Sequence, residues 1–186
     1  MVNVRLADTS DSQRWDTYVL GCKDAGPYHL YAWKRAVEES YGHQPYYLMA
    51  EDGEQRITGV LPLFLVTPPL LKGVLVSLPF CDYGGALASG KETLDALHRA
   101  ALDHASRLHN RLEIRLRDPD PTLMSSCNLG VWSHKSRMVL GLTVSSDELW
   151  GSFKSKLRSQ IKRPRKDGLE FVLGSVELVE DFYRVF

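Results

Sequence analysis

The chain has 186 residues, 44% of them apolar and 25% charged, with 23 basic residues balancing 23 acidic ones. This is the composition of a globular protein long enough to bury a substantial core, and it excludes disordered, low-complexity and repeat architectures. The neutrality is only a sum: seven of the 23 Lys and Arg fall between Lys154 and Lys166, leaving 16 against 23 acidic residues elsewhere, so a local cationic run points to an anionic partner.

The opening residues, MVNVRLADTSDSQRW, show no basic-then-apolar leader, and the longest apolar run, Gly59 to Val66, contains Pro62 and is too short to cross a bilayer. A cytoplasmic location is the expectation. Cys22, Cys81 and Cys127 are odd in number and widely spaced, which predicts reduced thiols rather than a disulfide framework or a structural metal site.

Asn3 to Ala7 alternates as a strand, and Asp8 to Ser12 offers caps for a helix reaching about Cys22. Gly26 and Pro27 break the chain. Leu30, Trp33, Val37 and Tyr41 recur at helical spacing until Gly42. Three strand-like runs follow, PYYLMAED, QRITGVLPLFLV and KGVLVSLP, with turns at Asp52-Gly53 and Pro68-Pro69, and they predict an antiparallel meander. Pro62 predicts a bulge or an edge in the middle run.

After the loop FCDYGGALASG, one apolar face through Leu94, Leu97, Ala101, Ala105 and Leu108 predicts a long helix. LEIRLR then alternates as a strand, placing Glu113, Arg115 and Arg117 on one face, and MVLGLTV from Met138 reads as another strand. Ser145 and Glu148 form a capping box before a helix with Leu149, Trp150, Phe153, Leu157 and Ile161 on one side; Lys154, Arg158 and Lys162 step away from that stripe, and Pro164 is the expected stop. LEFVL and VELVEDFYRVF then read as a further strand and helix, ending on an apolar residue in mid-pattern.

The succession β, α, α, β, β, β, α, β resembles the GNAT acyltransferase fold. It implies an α/β protein whose mixed, largely antiparallel central sheet is flanked by helices. On the residues LPFCDYGGAL, LEIR, SHKSRMVLGL, LWGSFKSKLRSQIKRPRKDGL and ELVEDFYRVF, the chain resembles the FemAB-like proteins associated with the PEP-CTERM/exosortase system. That resemblance implies two tandem GNAT-like domains, here residues 1–165 and the incomplete start of a second, 166–186. It also implies cytoplasmic acyl or aminoacyl transfer connected with exopolysaccharide or cell-envelope assembly. The partners implied are an anionic nucleotide-linked or lipid-linked acceptor and an acyl or aminoacyl donor such as aminoacyl-tRNA.

Several residues are candidates for substrate contact. Asp82, Tyr83, Gly84 and Gly85 follow a strand and precede a helix, where glycine allows close backbone approach and a helix start favours an anion. By resemblance this loop touches substrate, although the classical enzymes carry an Arg where this chain has Asp82 and Tyr83; a tight turn capped by Asp is the alternative. Trp33 and Lys34, in YAWK, keep a family pattern, with Trp33 also reading as core. Arg115 and Arg117 share a strand face that is either an anion clamp or a solvated surface. His134, Lys135 and Arg137 precede the Met138 run, where His134 is either a base near neutral pH or, with no partner carboxylate identifiable, part of a surface loop. By resemblance, Arg158, with Lys162 one turn on, is the candidate contact to precursor phosphates; a solvated basic helix face is the alternative.

No catalytic residue and no metal ligand can be assigned. The acetyl-CoA signature [RQ]-x-x-G-x-[GA] is also not met, since RITGVL ends in Leu61 and runs through a strand, so no cofactor is expected in this half. An RNA-binding or assembly module on a degenerate GNAT fold, without catalysis, is the competing expectation.

Overall fold

In the computed structural model, which describes residues 2–68, 72–117, 130–132 and 138–186, the organising element is one long hairpin. Its first arm comprises β2 (Gln44–Pro45) and β3 (Leu48–Glu51), and its second β4 (Ile57–Leu61) and β5 (Leu63–Val66). One register runs through both arms, from Gln44 opposite Leu65 to Ala50 opposite Gly59, and Tyr46 N–H donates to the Leu63 carbonyl at 2.7 Å across the gap. β1 (Asn3–Leu6) adds outside β3.

On the other side of the hairpin, β6 (Val74–Ser77) pairs antiparallel with β5, while the two-residue β7 (Leu87–Ala88) pairs antiparallel with β4. Alternate residues of an antiparallel strand face alternate neighbours. Leu63 bonds toward the 44–51 arm, so Pro62 faces the line of β6 and β7 and has no N–H to offer it. Pro62 is therefore neither at an edge nor in a bulge: it is buried in the middle of the sheet, at the place where β6 stops and the chain leaves as the excursion Leu78–Ala86 before rejoining as β7. β8 (Arg111–Glu113) closes the far side, parallel to β6.

Strict alternation sends the hairpin's side chains to two cores. Tyr47, Met49, Val60 and Phe64 pack with Trp15 and Val19 of α1 (Ser12–Leu20) and Tyr31 and Val37 of α2 (Tyr31–Tyr41). Leu48, Ala50, Leu61 and Leu63 pack with Leu97, Ala101 and Ala105 of α3 (Lys91–Arg107). Helices thus cover both sheet faces, which explains why the strands read as continuous apolar runs. Asp8 and Asp11 make the capping box that precedes α1. The carboxylate of Asp16, in α1, accepts from the Tyr31 amide at 2.7 Å and so caps α2, which Gly42 ends at φ 67°.

Contacts divide the chain into two units, Met1–Ser136 and Arg137–Phe186. In the second, Ser145 accepts from the Glu148 amide and starts α4 (Ser146–Ser152) as expected. The single helix anticipated there is two, because Phe153 and Lys154 are extended before α5 (Ser155–Lys166) begins. Pro164 lies inside the last turn of α5, where its missing donor removes only one bond. The chain turns instead at Gly168, φ 79°, with Leu169 N–H reaching the Pro164 carbonyl at 3.0 Å. A short helix, α6 (Val179–Val185), follows. Residues 138–144 and 169–173, expected as strands, are not strands: an apolar run becomes a strand only where its backbone groups join a ladder, and these residues pair with none of the described strands.

Candidate functional site

Three bonds of Arg115, which follows β8, hold the end of β6 and the excursion Leu78–Ala86: one with Ser77 and two with the excursion itself. Arg115 N–H donates to Ser77 Oγ at 2.8 Å, Gly84 N–H donates to the Arg115 carbonyl at 2.9 Å, and Arg115 Nη1 donates to the Cys81 carbonyl at 3.0 Å. A Cβ on Gly84 would collide with the Leu78 side chain, so the close approach requires glycine. Leu78 and Phe80 both hold positive φ, 47° and 69°, an arrangement that costs free energy for bulky side chains and gathers at functional loops. Phe80 is anchored by Tyr41 and His43, whose rings lie 4.5 and 5.9 Å from its own.

Beside the excursion lies a cleft of two lobes that share Asp24, Ala86 and Leu87. The larger, about 460 Å³, is also lined by Tyr18, Cys22, Lys23 and the turn Ala88–Gly90 that leads into α3. The smaller, about 230 Å³, adds His29, Tyr83, Gly85, Leu116 and Arg117.

His29 is buried at 2% exposure. Its Nδ1 accepts from the Gly26 amide at 3.1 Å, so Nε2 carries the proton and donates to the Gly85 carbonyl at 3.2 Å. Burial lowers its pKa, which keeps the ring neutral. Arg117 Nη1 donates to Asp24 Oδ1 at 2.8 Å, Nη2 reaches the Asp24 main-chain carbonyl at 3.3 Å, and the guanidinium lies over the Tyr83 ring at 5.0 Å. Burial pushes the Cys81 thiol up to about 11 and raises that of Cys22 as well. Neither is a thiolate near neutral pH, so neither is a ready nucleophile.

The structure brings Tyr83, Gly85 and Arg117 together at this cleft. Gly84 and Arg115 shape its loop rather than line it, and Asp82 is exposed on the same loop. Trp33 and Lys34 lie on α2 and line neither lobe: Trp33 packs edge-on to Tyr28, and Lys34, its own side chain mostly covered, pairs with Glu38 at 3.2 Å. Arg158 and Lys162 belong to α5 of the second unit, where Lys162 lies 5.4 Å from the Trp150 ring centre. His134, Lys135 and Arg137 lie outside the described residues.

Sequence reasoning passed over Asp24 and His29. The available signal was the Gly26-Pro27 break, which starts the 3₁₀ turn Pro27–His29 and turns the imidazole onto Gly85. Among the described residues no His, Cys, Asp and Glu cluster could hold a metal ion, and no helix is long and apolar enough to cross a membrane.

No family model matches this chain, and no curated protein matches it. Solved structures do. Glucosamine-6-phosphate N-acetyltransferase from Arabidopsis thaliana is similar at 13% identity and TM-score 0.51, over 76% of this chain and 99% of that one. A Trypanosoma brucei acetyltransferase is similar at 15% identity and TM-score 0.51, over 76% and 100%. At these identities the likeness establishes the fold, which is the mixed, largely antiparallel sheet flanked by helices of GNAT acyltransferases.

Proposed function

We propose that the chain is the acceptor-binding half of a FemAB-like acyl or aminoacyl transferase connected with cell-envelope or exopolysaccharide assembly. One observation carries the reading: on a fold whose similar solved structures are acetyltransferases, the sheet is interrupted at Pro62, and the excursion Leu78–Ala86 lines a cleft with Tyr83, Gly85, His29 and Arg117. The elevated thiols of Cys22 and Cys81, the cysteines among the described residues, favour direct attack of an acceptor amine on the acyl donor over transfer through either of them. Direct transfer needs held reactants, a proton acceptor and donors for the developing oxyanion. In this reading the cleft holds the acceptor, and a second GNAT-like domain of the same protein contributes to the chemistry. The proposed contacts from elsewhere are Trp33 and Lys34 on α2, the His134, Lys135 and Arg137 segment, and Arg158 and Lys162 on α5. The donor is an acyl or aminoacyl carrier, with aminoacyl-tRNA one such donor, and the setting is cytoplasmic.

Mass spectrometry of ligands carried by the protein purified from its host, followed by transfer of a labelled acyl or aminoacyl group to the acceptor so found, tests the proposal. A nucleotide-linked or lipid-linked anion that then accepts label supports it. Absence of both a retained anion and any transfer would contradict it.

A second reading rests on α5, whose Lys156, Lys162, Arg163, Arg165 and Lys166 are all exposed. There the chain is an RNA-binding or assembly module on a degenerate GNAT fold. Replacing Lys162, Arg163, Arg165 and Lys166 together should then weaken tRNA binding and flatten its salt dependence; unchanged binding excludes RNA recognition through α5.

A further inference from the structure

The smaller lobe contains a cation and an anion held with very different firmness. Arg117 is fixed: its guanidinium face lies over Tyr83, its side chain is 33% exposed, and among the described residues lining this lobe it is the cation, since burial keeps His29 neutral. Asp24 is not fixed in the same way. Its side chain is 78% exposed, and it meets Arg117 through one carboxylate oxygen, while the second guanidinium nitrogen reaches only a main-chain carbonyl at 3.3 Å.

A guanidinium fork is matched best by two oxygens of one oxyanion. Asp24 leaves that match half-made, and an ion pair with so exposed a partner is weakly held.

We propose that Arg117 is an oxyanion-binding site, that its ligand is a carboxylate-bearing molecule of about amino-acid size or the carboxylate end of a longer one, and that Asp24 is an internal placeholder the ligand displaces. The dimensions agree: about 230 Å³ takes the oxyanion head, and the shared wall of Ala86 and Leu87 leads the remainder into the lobe of about 460 Å³. Tyr83 keeps the guanidinium plane in place when Asp24 swings outward. Phosphate offers the same oxyanion chemistry and is the other source to be distinguished. The inference deepens the acceptor-site reading of the cleft and rests on it.

The test follows the backbone amide resonances of Tyr83, Gly85 and Leu116, which line the same lobe, in the ¹⁵N-labelled chain and each variant during titration with N-acetyl-L-alanine and, separately, with inorganic phosphate. A saturable shift at millimolar probe is expected, tightened at least about fivefold in Asp24→Asn and weakened at least about tenfold in Arg117→Gln. Arg117→Lys, which keeps the charge and loses the fork, is expected to weaken carboxylate binding about fivefold. Amide spectra of each variant verify folding. The same pattern with phosphate and not with the carboxylate upholds the site and assigns phosphate as its ligand. No shift with either probe, affinity unchanged or reduced in Asp24→Asn, or wild-type binding in Arg117→Gln overturns the proposal. Binding is read without any transfer, so a chain that binds here and transfers nothing sinks the transferase reading alone.

Discussion

Gly84 N–H donates to the Arg115 carbonyl at 2.9 Å, and that bond joins the excursion out of the sheet to the strand extension beyond β8. The approach is close because Gly84 packs directly on Leu78, with no room for a Cβ. Gly84→Ala is expected to cost about 1–3 kcal/mol by overpacking, measured by urea denaturation, with the loss of protection from amide exchange centred on residues 82–86.

Phe80 separates two effects at one position. Its φ of 69° is unfavourable, while its ring packs against Tyr41 and His43. Phe80→Ala loses the packing and keeps the strained backbone, whereas Phe80→Gly loses the packing and relieves it. The glycine variant should therefore be the more stable of the two by about 1 kcal/mol, in denaturation midpoints measured side by side.

The buried His29 gives a pH dependence whose sign is fixed by its neutral state. Its folded pKa lies below the ordinary 6.5 because burial penalises the imidazolium. As pH falls, the unfolded chain takes up the proton first, so this contribution is complete above about pH 6.5 and drains away below it. His104 shifts in the same direction, also by burial. Stability followed from about pH 7.5 to 5 should decline, and the decline should be shallower in His29→Gln, with His104 supplying what remains.

Acid sensitivity at lower pH comes from a different cluster. Arg5 bonds to both Asp11 and Glu51, whose side chains are only 5% and 9% exposed, and Arg14 also reaches both. Hydrogen bonding from Arg5 brings Asp11 down to about 2, from its ordinary 3.8. That stabilisation is present above 3.8 and is lost as pH falls through about 2. Arg5→Ala leaves two covered carboxylates with Arg14 alone and is expected to cost about 2–3 kcal/mol at neutral pH, with a smaller further loss between about pH 4 and 2 than the wild type shows.

Much of the fold was legible because its signals are local. The Asp8 to Ser12 caps, the Gly42 stop, the apolar strand-like runs from Tyr46 to Val66 with their turn at Asp52-Gly53, the α3 stripe and the Ser145 cap each act within a few residues. What escaped depends on partners distant in sequence. β7 is two residues in a glycine-rich loop and exists only because it pairs with Gly59 and Val60. Pro62 read as an edge or a bulge because its meaning lies in the strand it faces. The break at Phe153-Lys154 involves neither glycine nor proline, and the runs at 138–144 and 169–173 read as strands but join no described ladder.

The site divides in the same way. Tyr83, Gly85 and Arg117 were visible through a glycine pair and a strand alternation. Asp24 and His29 reach the cleft only by folding the α1–α2 connection against Gly85.

The most direct test of the central claim, that the cleft beside Ala86 and Leu87 receives the acceptor, is amide hydrogen exchange of the chain with and without a nucleotide-linked cell-wall precursor peptide. The expected result is added protection at Tyr83 to Gly90 and around Asp24. Protection confined to α5, or none at the cleft under saturating precursor, would contradict it.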